Sequence, residues 1–450
     1  EGLILPFLGR KTTIPTGAFQ LAGRFQARLI PCFTVHRGGP YHDIFIGEAI
    51  ECPDKEDDQA GFARAVQHYL AILEDFIERF PREWLWGSKR WKYCWTKRLV
   101  ILSDGKAGHV KQSMALAERF QSLQTQYGRP GMEYLIKIID VQFRTPWRKR
   151  LFSWFAFFFI PWAQGRLHWL KFFLMDETLK ELAATPADFV ISAGSSLVAL
   201  NLCLARESRA KSVVLMKPSF PYNLFRYDLA VIGLHDGGII PQEAFRTLLA
   251  PGSIDGEDLE KASQVIQKGL RDPAHVKIAV FIGGPTRRYR LHLGDIEKLI
   301  MVLEHLSKSY GDYLLTTSRR TPESIVRFLK SKEPYLTSCQ MLVIAREDPR
   351  PEVVPGMMGL ADVLIVTEDS ISMISEAVRS AKKVIVLELG SQELPEKHRR
   401  FKQILQKQSA VVLAGLDDLE EKIRWIRKQE VSKVIESEEL ALIGRLQEIL

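Results

Sequence analysis

From residue 98 onward the chain alternates short, wholly apolar runs with longer stretches of helical period, and polar, glycine-containing loops divide them. The first series places strands at 99–102, 134–141, 189–192, 212–216 and 229–232, with helices such as 112–123 and 197–206 between them. Runs that are apolar at every position are strands covered on both faces, which is how a parallel sheet flanked by helices reads. A second series begins at Val276, with strands at 278–282, 313–316, 340–344, 363–366 and 383–387 and helices at 295–309, 322–330 and 370–380. The fold class expected is therefore α/β, with two Rossmann-like halves at 98–240 and 276–450, the second finished by closing helices. Residues 241–275, which carry Gly252, Gly256 and Gly269, are expected to be a linker with one helix over 259–270.

Residues 1–97 have a different texture. Strands are expected at 3–8, 29–35 and 41–46, a short helix at 16–25, and a long helix at 57–80 that sets Phe62, Val66, Leu70, Leu73 and Ile77 on one stripe. The segment closes with Trp84, Trp86 and Trp91 among basic residues, either a domain-closing tail or part of a lipid-facing or anion-binding surface. A third texture fills 144–174, where Phe and Trp crowd together, Trp154, Phe155, Phe158 and Trp162 among them, beside Arg148, Lys149, Arg150, Arg166 and Lys171. A spanning helix needs about 20 apolar residues, and Pro161 and Arg166 interrupt this run. An aromatic face flanked by cations suits a lipid headgroup interface, so membrane contact is expected; a buried interdomain patch is the alternative.

Composition narrows the function classes. With 450 residues the chain has room for about three domains. A hydrophobic fraction of 46% and a charged fraction of 26% exclude wholesale disorder and a polytopic membrane protein. Lys and Arg outnumber Asp and Glu by 62 to 54, a net +8 that suits nucleic acid, acidic lipid or a nucleotide phosphate. Nucleic acid is set aside, because the bases accompany Phe and Trp instead of lining one polar face. The five cysteines lie far apart with no His at ligand spacing, so no metal site, disulfide framework or bound cofactor is expected, and a reducing cytosolic setting is. The chain opens Glu1-Gly2-Leu3 with no basic and apolar leader, so no secretory signal is expected and the beginning reads as cut.

Four loops carry candidate chemistry. Ser103-Asp104-Gly105-Lys106-Ala107-Gly108-His109 joins a strand to a helix, and Gly105, Lys106 and Gly108 suit a phosphate or polar acceptor, or else form a tight turn only. The loop is no Walker A motif, since no Ser or Thr follows its Gly-Lys. His109 is placed as a general base, with Asp104 orienting it or acting as the base itself; the alternative makes His109 a solvent-facing cap. Gly283 and Gly284 end a strand of the second half and are followed by Arg287, while Ser318, Arg319 and Arg320 follow the next strand, all at carboxyl ends where open α/β sheets bind ligands. These arginines neutralise a diphosphate or are simply solvated. In Thr367-Glu368-Asp369-Ser370-Ile371-Ser372, the two serines sit at a helix start, ready to cap it or to donate to a phosphate. Glu376 follows Glu368 with seven residues between.

With these motifs in hand, residues 98–450 resemble the bacterial and plant mitochondrial fission ELM family, through the Ser103–His109 loop, His235-Asp236, Gly283-Gly284-Pro285, Thr317–Pro322 and Thr367–Met373. That family looks like the GT-B glycosyltransferases. The resemblance implies a second half that binds a nucleotide-sugar and a first half, docked on a membrane, that holds the acceptor. It also implies that Glu368 and Glu376 contact sugar and ribose hydroxyls, a carboxylate being able to accept two at once. Residues 1–95 are similar to the carboxyl-terminal part of lipid A lauroyl/myristoyl acyltransferases, through Pro6-Phe7-Leu8-Gly9, Thr16-Gly17-Ala18, Ile30-Pro31, Arg37 and the closing Trp84–Lys92 stretch, with Ser88 where that family usually has His. The His-x4-Asp of such enzymes does not occur in residues 1–95, so this part is expected to be a truncated acyltransferase α/β domain.

The function expected is a peripheral enzyme of the cytoplasmic face of the inner membrane, in envelope glycolipid assembly. The substrates would be a nucleotide-sugar and a lipid or lipid-linked acceptor, with an acyl donor for the fused acyltransferase part. Asp104 or His109 would activate the acceptor. Gly283, Gly284, Arg287, Ser318, Arg319, Arg320, Asp369, Ser370 and Ser372 would hold the donor with Glu368 and Glu376. The alternatives are a non-catalytic membrane scaffold, and acyl transfer as the main activity of the intact protein.

Overall fold

The computed structural model describes residues 2–85, 94–127, 132–249, 252, 256–286, 289–389, 394–431 and 434–449. The chain divides into two compact units, one of residues 1–98 and 124–135, the other of 99–123 and 136–450.

In the first unit, β1 (Gly2–Phe7) and β2 (Arg10–Pro15) form an antiparallel hairpin. There follow α1 (Gly17–Arg24), β3 (Arg28–Leu29), β4 (Cys32–Gly38), β5 (Tyr41–Ile46), β6 (Ile50–Glu51) and α2 (Gln59–Arg79). Asp58 caps α2 by accepting from the Gly61 N–H at 2.7 Å, and the stripe read from the sequence is the face it buries: Phe62, Val66, Leu70 and Ile77 pack on Phe7, Ile14 and Phe19. β2 was not foreseen, because Arg10-Lys11-Thr12-Thr13 carries no apolar run; only Ile14 and Thr12 point into the core. Trp84 packs at the edge of this core, while Trp86, Ser88 and Trp91 lie outside the described residues.

The second unit contains both Rossmann-like halves. The first half comprises β7 (Thr96–Ser103), α3 (Ala107–Tyr127), β8 (Glu133–Asp140), α4 (Pro146–Phe159), α5 (Asp176–Ala184), β9 (Phe189–Ala193), α6 (Val198–Ser208), β10 (Lys211–Leu215), β11 (Leu229–Gly233) and β12 (Phe245–Thr247). Next come α7 (Gly256–Gln267), β13 (Val276–Ile282), α8 (Leu293–Tyr310), β14 (Asp312–Thr317), α9 (Glu323–Lys332), β15 (Cys339–Val343) and α10 (Val353–Leu360). The chain ends with β16 (Val363–Thr367), α11 (Ile371–Arg379), β17 (Lys383–Leu387), α12 (Glu396–Lys407), β18 (Val412–Ala414), α13 (Leu419–Arg427) and α14 (Val434–Ile449).

The two six-stranded sheets run β8-β7-β9-β10-β11-β12 and β15-β14-β13-β16-β17-β18. The expected α/β class, with two parallel sheets following the amino-terminal part, is what the structure has. Strand order reverses between β7 and β9 in one sheet and between β13 and β16 in the other. At such a switch point two adjacent loops part company at the carboxyl edge and leave a crevice.

Three expectations are corrected. Residues 241–275 are not a mere linker: β12 pairs in parallel with β11, and α7 packs Leu259 and Ile266 into the second half's core. α7 lies against α10 so closely that a Cβ on Gly356 would stand 2.7 Å from the Ala262 carbonyl, an approach only glycine permits. α3 starts at Ala107, so His109 stands in a helical first turn and not in a loop. Phe155 does not face solvent with its neighbours: its ring stacks on Phe159 at 4.1 Å and meets Trp169 at 5.2 Å, anchoring α4.

The other three aromatics, Trp154, Phe158 and Trp162, are 60–63% exposed, and Trp147 and Phe172 extend the same outward surface. Arg148 lies over the Phe172 ring at 4.5 Å. Among the described residues no helix is long and apolar enough to cross a membrane.

Candidate functional site

The loop after β7 and the loop after β9 meet at the first sheet's switch point. Asp104 is their node: its carboxylate accepts from the Ser196 hydroxyl at 2.8 Å and the Lys106 ammonium at 2.9 Å, and the His109 Nδ1 lies 3.0 Å from its other oxygen. The Asp104 side chain is 2% exposed. Burial works against its ionisation, but the hydrogen bonds from Lys106 and Ser196 and the charges of His109 and Lys106 outweigh it and hold the carboxyl at about 2. A base oriented by a buried carboxylate is the arrangement that activates a hydroxyl.

Gly194 shapes the same site. Its φ is +74°, and a Cβ there would stand 2.6 Å from the His109 Cε1, so the ring rests on bare backbone. Gly105 takes φ +81° at the turn before α3, whereas Gly108 has open space around its Cα. Lys106 is largely exposed apart from its bond to Asp104.

At the second switch point the loops after β13 and β16 are knitted together. The Gly283 N–H donates to the Thr367 hydroxyl at 2.8 Å and the Gly284 N–H to Asp369 at 3.0 Å. A Cβ on Gly283 would lie 2.0 Å from the Asp369 carboxylate. Both N–H groups expected to meet a diphosphate are thus used inside the protein, and the glycines serve close packing. Asp369 is buried, and burial raises its carboxyl despite bonds from Thr367 and Gly284 and the charge of Arg320. Arg320 reaches it at 3.4 Å while staying half exposed; Arg319 is exposed, and Ser318 is bound to Thr321. Arg287 lies outside the described residues.

Glu368 and Glu376, expected to act together, are separated in role. Glu368 is buried and paired with Lys402, whose Nζ also donates to Glu388 at 2.5 Å; burial raises the Glu368 carboxyl and Lys402 opposes that. Glu376 instead faces the other half and pairs with Lys111 of α3 at 2.9 Å. Ser370 caps α11, accepting from the Met373 N–H at 3.3 Å, and Ser372 is exposed in its first turn, where unpaired N–H groups and the helix dipole favour an anion.

Sequence reasoning gave several residues no role in the site. Ser196 and Gly194 lie in a loop that shows no motif until β9 is known to neighbour β7. Asp236 pairs with Lys397 across the halves at 2.8 Å, and His235 packs its ring edge-on against Phe401 at 5.0 Å. His235-Asp236 was legible as a motif, and the signal for a site role was its position just after β11, at the same sheet edge as Asp104. Gln112, Lys111 and His398 sit on helix faces whose partners are remote in sequence. Among the described residues no cluster of His, Cys, Asp and Glu could hold a metal ion.

Two Rossmann-like halves joined by the Lys111–Glu376 and Lys397–Asp236 ion pairs define a two-sheet α/β protein with its candidate site between the sheets. Residues 107–438 match the family model described as mitochondrial fission ELM1, and the chain belongs to that family. Residues 1–93 match the bacterial lipid A biosynthesis acyltransferase model, so both resemblances hold in the order expected. An uncharacterized protein of Rickettsia prowazekii (strain Madrid E), RP120, is 24% identical over 330 residues, 64% of this chain and 82% of that protein.

Among solved structures, a family 9 glycosyl transferase from Veillonella parvula is similar with a TM-score of 0.39 and 11% identity, over 78% of this chain and 98% of its own. The ADP-heptose LPS heptosyltransferase II of E. coli gives 0.40 and 11%, over 74% and 98%. A putative UDP-N-acetylglucosamine 2-epimerase from Listeria monocytogenes gives 0.46 and 10%, over 74% and 88%. Likenesses of this extent carry no argument about activity.

Proposed function

We propose that the second unit is a GT-B-like glycosyltransferase that moves a sugar from a nucleotide-sugar to a hydroxyl of a lipid or lipid-linked acceptor, at the cytoplasmic face of the inner membrane. Asp104 keeps its charge and orients His109, which takes the acceptor proton. The amino end of α11, with Ser372 and the nearby Arg319 and Arg320, meets the diphosphate, and Glu376 meets sugar or ribose hydroxyls. The outward Trp154, Phe158 and Trp162 seat the first half on an anionic lipid surface, and the acyltransferase-like residues 1–93 suit the same lipid substrates and envelope glycolipid assembly.

The observation that carries this reading is the Lys111–Glu376 pair, which brings the helix bearing His109 within one ion pair of α11. Calorimetry of the full chain with UDP, ADP and GDP and their sugar conjugates tests it. Binding of at least one nucleoside diphosphate is expected; a folded protein that binds none refutes the donor site. A membrane scaffold is the second reading, favoured by the engagement of both Gly283 and Gly284 N–H groups within the protein. Vesicle binding without nucleotide affinity would decide for it.

A further inference from the structure

Three buried polar atoms without a protein partner, Gln112 Oε1, His235 Nδ1 and His398 Nδ1, belong to residues that line one cavity of about 260 Å³. Gln112 and His235 come from the first half and His398 from the second, so the cavity is shared. Buried side-chain polar groups are nearly always satisfied, and three orphans around one cavity ask for one common partner.

The His235 ring cannot turn away to find another. It is 7% exposed, lies against Gly233, where a Cβ would come within 2.3 Å of its Cε1, and is held edge-on by Phe401. Burial, with Lys397 beside it and Asp236 opposing, pushes His235 down to about 4, and burial lowers His398 as well. Both rings are therefore neutral near pH 7. A neutral imidazole keeps one nitrogen as an acceptor, and the Gln112 carbonyl oxygen is an acceptor too. The set calls for a partner that donates hydrogen bonds, and the Asp236 and Lys397 that also line the cavity are paired with each other, so no charge there is left for a ligand to balance. The remaining wall includes Met216, Val231 and Ile371, which suit the C–H face of a ring.

We propose that this cavity binds a neutral, hydroxyl-bearing ring of pyranose size, with Gln112, His235 and His398 accepting from its hydroxyls. Naming that ring the transferred sugar rests on the nucleotide-sugar reading above; the cavity's preference for hydroxyls does not.

The test follows the ring Cε1–H signals of His235 and His398 by NMR in the full chain, assigned with His235→Phe and His398→Phe. The probes are free glucose and N-acetylglucosamine, then UDP, then UDP-glucose and UDP-N-acetylglucosamine. Sugar-bearing probes are expected to move both signals and UDP alone to leave them in place. Gln112→Leu is expected to weaken sugar-bearing probes about tenfold, the loss of roughly one hydrogen bond, and to leave UDP affinity unchanged. Equal movement with UDP alone, no movement with any sugar-bearing probe, or an unchanged sugar affinity in Gln112→Leu overturns the inference. UDP binding without a response to sugars refutes this cavity and leaves the donor reading; a response to free sugar with no nucleotide binding does the reverse. The wild-type signals decide even if the Gln112→Leu chain fails to fold.

Discussion

Replacing Lys402 by Met removes the one ammonium that serves two carboxylates. Lys402 is 6% exposed, and its Nζ is hydrogen-bonded to Glu368, whose side chain is equally buried, and to Glu388, which is partly solvated. The methionine fills nearly the same volume, so the loss is electrostatic. Breaking a buried pair from one side costs about 3–5 kcal/mol, because the remaining charge is stranded away from water. Glu388 can turn to solvent, so the figure expected is about 3 kcal/mol, which at about 2–4 °C per kcal/mol lowers the main melting transition by about 10 °C.

The pH dependence has a definite sign. Burial already raises the Glu368 carboxyl, and without Lys402 it rises further. A carboxyl raised in the folded state contributes stability that is present in acid and lost as pH rises through the folded pKa. The Lys402→Met penalty is therefore largest at neutral pH and shrinks in acid as Glu368 takes up a proton. The double variant Lys402→Met with Glu368→Leu should recover most of the loss, since an apolar pair of similar volume often matches a buried ion pair. Calorimetric melting of the wild type, Lys402→Met and the double variant, each at neutral and at acidic pH, is the assay. A single-variant loss below about 1 kcal/mol, the size of a surface pair, or one that is the same at both pH values, refutes the reasoning.

The Asp104 carboxyl should titrate at about 2 by carbon-detected NMR, against an ordinary value near 3.8. Its stabilising contribution is then intact above that ordinary value and lost as pH falls through about 2, and a midpoint near 4 would dissolve the cluster. Asp104→Asn should slow sugar transfer by about 10²–10⁴-fold, measured as turnover of whichever nucleotide-sugar binds; a loss under tenfold removes its role. Gly194→Ala should displace the His109 ring and cost about 1–3 kcal/mol, seen as a changed His109 ring signal; an unmoved ring contradicts the packing. Trp154→Glu with Trp162→Glu should abolish flotation on vesicles containing anionic lipid while the melting temperature stays within a few degrees, and unchanged flotation would clear the aromatic face of that role.

The sheets were legible because parallel strands buried on both faces, such as 278–282 and 363–366, read as unbroken apolar runs. β12 escaped because Phe245-Arg246-Thr247 is an edge strand, three residues long and only partly covered. α12 escaped because the strongly charged stretch Glu396–Lys407 hides a narrow buried stripe, Phe401 and Leu405 together with the paired Lys402. At the site, glycine loops marked the strand ends correctly, but a glycine needed so that a loop can touch its neighbour looks the same in sequence as one needed to admit a ligand. Gly283 and Gly284 are the first kind, which only the position of Asp369 reveals. The Glu368 and Glu376 spacing likewise said nothing of Lys402 or Lys111, whose places depend on helices 26 or more positions away.

The ties between the two halves differ in strength, and the difference falls where the chemistry needs it. Across the candidate site, Lys111–Glu376 and Lys397–Asp236 join partners of which each lysine is 40–50% exposed, and such pairs hold by about 0–1 kcal/mol. Under α14 the ties are better shielded, with Arg379 buried and Glu438, Glu439 and Arg119 partly so. Glu438 accepts from the Thr247 hydroxyl and from the Leu248 N–H at 2.6 Å, just past β12, and faces Arg379 of α11 at 3.9 Å, while Glu439 accepts from Arg119 of α3 at 3.0 Å. One helix thus clamps the last strand of the first sheet to the far end of the helix whose amino terminus faces the site. Parting the halves at the site breaks weak, screened pairs; parting them at α14 strands better-shielded charges. The geometry lets Lys111 and Lys397 exchange a carboxylate for an incoming ligand while α14 keeps the two sheets in register.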